Sequence, residues 1–326
     1  MSLVVGLPMP DSRSFTSAAV CVNLLLGCVG QAPDPTSRDA FQDSSPVLEV
    51  TAIYDAASGE HRFLTSADTV SAGWTTIRFT NASPTLHFVF LDHMPGERTS
   101  VDLLTEVSPV FQESMDLTIA GRPDEAAAVF GKLPEWFGEL VFRGGPGFTS
   151  PGYVTEVILY LEPGNYVLEC YVKTAEGVFH STLGMHADLH VTEEVGPAES
   201  PGLPTLEVTL TDSGMVVEGE VTPGDHIVAV HFQEENPGLF GKDVHVARLD
   251  PGHSLEALVA WMDASQVEGL TSTAQDPAPA TFLGGVHDMP FGNTAYFHVT
   301  LEAGEYVWVS ELPAAEGTYQ TFTVHD

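Results

Sequence analysis

TEVILYLEPGNYVLECYVKTAEGVFHSTLGMHADLHV, residues 155–191, decides the reading of this chain. It is two strand-like runs broken at Glu162-Pro163-Gly164, a second break around Thr174–Gly177, and a third run from Met185. Tyr166, Leu168 and Cys170 share one strand face by their period of two, and so do Met185, Ala187, Leu189 and Val191. A three-residue loop, Thr174-Ala175-Glu176, with Gly177 in the left-handed bulge position is a common hairpin connection. It predicts Cys170 opposite His180 on paired strands, with Cβ atoms about 5 Å apart. A slip of one residue would send the two side chains to opposite faces.

The same texture extends outward. VLEVTAIYDA (47–56), TTIRFTN (75–81) and LHFVFLDH (86–93) read as strands upstream. TLEVTLTD, HIVAVHF, DVHVARL, AYFHVTLEAGEYVWVSEL and TYQTFTVHD form a similar series downstream. Helices are expected only at Asp124–Phe130 and Ser254–Met262. Short strands at this spacing predict an all-β protein of two tandem Greek-key β-sandwich domains with short helical insertions.

The two series match in order. LEPGNYVLECYVKTAEG (161–177) lies on LEAGEYVWVSELPAAEG (301–317) at an offset of 140, with eight identities in 17. Gly144-Gly145 lies on Gly284-Gly285 at the same offset, which points to an internal duplication. The Pro/Gly-rich stretch 196–204 is the expected linker. The expected layout is a first domain at 47–195 and a second at 205–326. The comparison isolates one feature. Cys170 falls on Ser310, His180 falls on Gln320, and the segment with Met185 has no counterpart. A Cys, a His and a Met leave the second copy together while the scaffold around them stays.

Residues 1–27 end in an apolar run of signal-peptide length, too short for a membrane span of about 20 residues. Leu25-Leu26-Gly27-Cys28 resembles a lipoprotein signal, with Cys28 as the lipid anchor; an ordinary cleaved signal is the alternative. Residues 28–46 are small, polar and Pro-containing, and read as a flexible tether. Of three cysteines, Cys21 then lies in the signal and Cys28 carries lipid, so Cys170 is the one free thiol of the mature chain. Three cysteines exclude a disulfide framework.

Charge limits the partners. The 326 residues carry 45 acidic and 11 basic side chains, a formal −34. That excludes a nucleic-acid binder, which needs a basic surface, and argues against docking on anionic lipid. Membrane association is expected only through the lipid anchor. The acids are spread along the chain, as in salt-adapted (halophilic) proteins that use self-repulsion for solubility.

GWTTIRFTNASPTLHFVFL (73–91), followed by PGNYVLECYVKTAEGVFHSTLGMHADLHV (163–191), resembles the cupredoxin superfamily. The resemblance covers residues 47–192 with ligand motifs and 205–325 as scaffold only. It implies a metal site of His87, Cys170, His180 and Met185, and copper as the cofactor. Thiolate, two imidazoles and a weak thioether suit copper cycling between its two oxidation states. Nine residues separate Cys170 from His180, where familiar blue-copper proteins have two to four; the hairpin is what would bring them together. The implied function is an extracytoplasmic electron carrier or copper-handling protein with a redox partner. A metal-free binding or structural module on the same fold is the alternative.

Other candidates read as structural. His186, Asp188 and His190 alternate on the opposite strand face and fit a solvated polar edge. The Pro-Gly landmarks align His87 with Asp243, which leaves His245 without a Cys partner and structural. Trp136 belongs to an insertion that either covers the site or forms a surface patch. The chain has no His-x-His pair of the multicopper-oxidase kind, and Glu169 and Tyr171 flank Cys170 where copper nitrite reductases carry a His. It also has no Gly-x-Ser-x-Gly, phosphate loop or HExxH. An enzyme is therefore not the expected reading.

Overall fold

A computed structural model describes residues 46–196, 201–235, 241–311 and 318–326. The expected signal, the tether and Cys28 lie outside the described residues, as does part of the expected linker. The chain is all-β, with strands in two sheets and a few short helices.

The first half contains β1 (Val47–Asp55), β2 (Glu60–Thr65), β3 (Thr69–Asn81), β4 (Phe90–Met94), β5 (Val141–Phe142), β6 (Val154–Leu161), β7 (Gly164–Glu169) and β8 (His186–Val195). The long strand β3 is the corner of this half. Its first residues pair in parallel with β8, and its later residues pair with β1 and β6. The faces so folded together bury Val50, Ile77, Phe79, Leu159, Tyr166, Leu168 and Val191. The second half contains β9 (Leu206–Thr211), β10 (Gly214–Gly219), β11 (Gly224–Gln233), β12 (Val244–Arg248), β13 (Thr281–Val286), β14 (Thr294–Leu301), β15 (Gly304–Val309) and β16 (Tyr319–Val324). A four-stranded sheet runs β13-β12-β15-β16.

The halves share a sheet. β6 pairs with β14 through Ile158–Tyr296, Val157–Phe297 and Glu156–His298. Glu156 therefore sits between two cross-strand partners, Arg78 and His298. It accepts from Arg78 Nε on β3 and lies 3.0 Å from His298 Nδ1 on β14.

Two expectations are corrected here. The chain forms β2 at 60–65, which no strand was assigned to; His61 and Phe63 face inward between exposed Glu60, Arg62 and Leu64. The segment 100–119 is helical, through α1 (Ser100–Asp102), a π-helical turn at Leu103–Val107 and α2 (Ser108–Ile119). Thr99 caps this run reciprocally with Asp102, a Thr-x-x-Asp analogue of the capping box. The expected helices occur as α3 (Pro123–Val129) and α4 (Leu255–Trp261), the latter capped by Ser254. No described helix is long and apolar enough to cross a membrane.

Candidate metal centre

Asn81 shapes the approach to the first site. Its side-chain amide donates to Thr85 O (2.8 Å) and Thr149 O (2.7 Å), and its carbonyl accepts from Ser83 N–H. This closed turn delivers His87 into the interior ahead of β4, where it is fully buried. Thr85 Oγ1 holds His87 Nε2 at 3.0 Å, so Nδ1 faces the cluster. There Cys170 Sγ lies 3.6 Å away and His180 Nδ1 3.2 Å away. A hydrogen bond on one ring nitrogen that frees the other is how histidines are oriented toward a metal.

Cys170 and His180 arrive through a hairpin whose register differs from the expected one. Gly177 is left-handed (φ +80°), as the turn predicts. However, Lys173 pairs with Phe179, and His180 N–H donates to Val172 O at 2.8 Å. His180 is thus opposite Val172, two residues from Cys170. A two-residue shift preserves the strand face, and His180 then opens a 3-10 turn, His180–Leu183, that brings its ring back toward His87. Gly184 ends that turn at φ +101°, where a Cβ would approach His61 O to 3.0 Å. Met185 follows, fully buried, its carbonyl accepting from Cys170 N–H at 3.2 Å.

A third histidine completes the group. His61 on β2 stacks on His180 with ring centroids 4.0 Å apart, and lies edge-on to His87 at 5.3 Å. One nitrogen each of His61, His87 and His180 lie mutually within 4.8 Å. His61 Nδ1 is buried without a hydrogen-bond partner. Its sequence signal was inward alternation in EHRFLT, which a single buried His does not distinguish from packing.

Burial dominates the electrostatics. It pushes His87 and His180 well below the ordinary imidazole range, and His61 down as well; the neighbouring imidazoles add to this for His87 and His180. Neutral imidazole is the form that binds metal. Burial pushes the Cys170 thiol up to about 12, against hydrogen bonds from the Phe88 and Val172 backbone. A bound cation reverses that balance, because a coordinating thiol is deprotonated outright. The buried donors here are three clustered imidazoles, with the Cys170 sulfur 3.6 Å from His87 Nδ1, and this combination suits copper.

The other sequence candidates are placed elsewhere. Asp188 accepts from Ser100 N–H (2.7 Å) and Ser100 Oγ (2.9 Å), tying β8 to α1, and His190 Nδ1 meets Asn165 Oδ1. Trp136 lies in a small apolar core with Met94, Leu103, Val107 and Val167, and its indole donates to Glu106. The insertion roofs a cavity of about 500 Å³ whose floor carries Asp92, Glu169, Asp243, His287, Asp288 and Glu311. Burial pushes Glu169 and Asp288 each up to about 7, and Asp92 and Glu311 well above the usual carboxylate range. Asp243 stays low: burial pushes it up, but His245, His287 and the Glu311 N–H together more than offset that.

The alignment of His87 with Asp243 is also corrected. His93 pairs with Tyr166 and Leu91 with Leu168, while Arg248 pairs with Tyr306 and Val246 with Trp308. These registers put Asp243 at the place of Phe88, and Lys242 at the place of His87. Asp243 N–H donates to Ser310 Oγ just as Phe88 N–H bonds Cys170. His245, expected to be merely structural, joins Asp243, His287 and Glu311 in a second buried cluster.

No family model and no curated protein matches the chain. Among solved structures it is similar to a copper-containing nitrite reductase from Thermus scotoductus SA-01, at 13% identity and a TM-score of 0.23, over 86% of this chain and 61% of that one. It thus spans less than two thirds of that enzyme. It is also similar to auracyanin A, a "blue" copper protein from Chloroflexus aurantiacus, at 18% identity and a TM-score of 0.25, over 44% of this chain and 98% of that one. A laccase from Botrytis aclada matches at 9% identity and a TM-score of 0.24, over 86% of this chain and 63% of that one.

Proposed function

We propose that this chain is an extracytoplasmic, cupredoxin-like copper protein. Its first half would hold one copper ion for electron transfer or copper handling. The observation that carries this reading is the convergence of Cys170 Sγ and His180 Nδ1 on the same nitrogen of His87, at 3.6 and 3.2 Å. His61 would add a third imidazole, and Met185, fully buried and bonded through its carbonyl to Cys170 N–H, would supply the thioether. Copper bound there would supply one-electron redox chemistry. The protein's part is to keep the imidazoles neutral, to stabilise the thiolate through the Phe88 and Val172 amides, and to exclude water.

The second half would be a duplicate that has lost this site. Ser310 and Lys242 stand where Cys170 and His87 stand, and Ser310 Oγ is turned to donate to Asp243 at 2.8 Å. Cys28 would tether the chain by lipid; detergent-phase partitioning of full-length protein, lost in Cys28→Ala, tests this.

The deciding experiment is copper titration of reduced wild-type protein. One equivalent is expected to develop an intense visible thiolate-to-copper band, which Cys170→Ser abolishes. No stoichiometric copper uptake would favour a metal-free module of the same fold.

A further inference from the structure

The cluster in the second half is built differently from the first and lies on the other face of the same strands. Phe88 and Tyr171 follow His87 and Cys170 in the chain and so point away from the first site. Both pack on His287, with ring centroids at 4.4 and 6.5 Å. His287 in turn faces Asp243 Oδ2 at 3.7 Å.

Asp243 is a held carboxylate. Oδ1 accepts from Ser310 Oγ (2.8 Å) and Glu311 N–H (2.7 Å), and Oδ2 accepts from His245 Nε2 (2.8 Å). The direction of that last bond follows from the other side of the ring. Phe148 N–H donates to His245 Nδ1 at 3.2 Å, so the ring proton is on Nε2. A ring that needs its proton there is a poor metal ligand through that nitrogen, but it fixes the carboxylate. Gly147 makes room for it, since a Cβ there would lie 2.6 Å from His245 Nδ1. Consistently, His245 does not line the cavity, whereas Asp243, His287 and Glu311 do. Glu311 is oriented by Tyr171, whose hydroxyl donates to Oε2 at 3.0 Å.

Two observations ask for a cation. His287 is 1% exposed, and its Nδ1 stands 3.7 Å from Asp243 Oδ2, beyond hydrogen-bond distance, while Nε2 has no hydrogen-bond partner. Around it the cavity floor gathers the carboxyls of Asp92, Glu169, Asp243, Asp288 and Glu311, all buried or nearly so. Carboxyls removed from water are paired, coordinate a metal or take up a proton; Asp243 stays ionised here, and a bound cation would displace the protons that burial favours on the others.

We propose that Asp243, His287 and Glu311 form a second metal site, for a divalent cation of borderline softness such as zinc, with His245 and Tyr171 as positioning residues. One imidazole and two carboxylates are an ordinary zinc donor set. Three protein ligands leave a coordination position, and the cavity of about 500 Å³ opens beside it for water or a small ligand. The site is independent of copper in the first half.

The test disables the first site and then the second. Cys170→Ser/His180→Gln, stripped of metal, is expected to bind one zinc by competition with a chromophoric chelator. Adding His287→Gln or Glu311→Gln should weaken that binding at least tenfold, and adding His245→Gln by less. No zinc uptake by Cys170→Ser/His180→Gln, or equal uptake once His287→Gln or Glu311→Gln is added, overturns the proposal. Should these variants fail to fold, anomalous diffraction at the zinc edge from zinc-soaked wild-type crystals decides it. A peak between Asp243, His287 and Glu311 supports the site, and zinc found only elsewhere refutes it.

Discussion

Glu156→Gln tests whether one carboxylate bolts the two halves together. Glu156 is 7% exposed on β6, between Arg78 on β3 and His298 on β14. The hydrogen bond with His298 and the Arg78 guanidinium hold its carboxyl down at about 2, from an ordinary 4.5, although burial opposes them. A tenfold change in proton affinity is worth about 1.4 kcal/mol, so this depression amounts to about 3 kcal/mol of stability. The folded value lies below the unfolded one. The contribution is therefore complete above the unfolded value and is lost as pH falls from about 5 toward 2. Urea unfolding of wild type and Glu156→Gln at matched pH isolates it from the other acids. The stability gap should shrink by about 3 kcal/mol between pH 6 and pH 2. Because the carboxylate is buried, most of the effect should survive high salt. A gap that changes by less than about 1 kcal/mol over that range refutes the reasoning.

Three further outcomes are expected. Gly145→Ala should destabilise the fold by more than about 3 kcal/mol in thermal unfolding, since φ is +123° and the new Cβ would meet Val89 O at 2.1 Å. Lys173→Met should cost about 2–4 kcal/mol in chemical denaturation, because the buried ammonium donates to Ala264 O (3.0 Å) and Gln266 O, and both carbonyls would lose a charged partner. His61→Phe should keep the fold but weaken copper binding at least tenfold and alter its visible spectrum; an unchanged spectrum and affinity would remove His61 from the ligand set.

Local pattern made much of the fold readable. Alternation in VLEVTAIYDA and MHADLHV marks inward faces, because a strand buried on one side must alternate. Gly177 marked its turn because a left-handed residue there has few alternatives. The helical run 100–119 was missed because its apolar side faces a cavity, so it lacks the dense stripe of a core helix: only Ser108, Val110, Ser114 and Met115 are buried in α2.

The sequence by itself determined the all-β pattern and singled out Cys170, His180 and Met185 as residues that the second series of strands lacks. That contrast carried its information without any geometry. Tertiary structure alone decided three other things. It set the hairpin register, through the bond from His180 N–H to Val172 O. It brought His61 onto His180, since β2 reaches that site only through sheet pairing. It also joined Asp243, His287 and Glu311, which lie 44 and 24 residues apart, into one cluster. Contacts between distant strands are paid for by the whole core, and no local spacing records them.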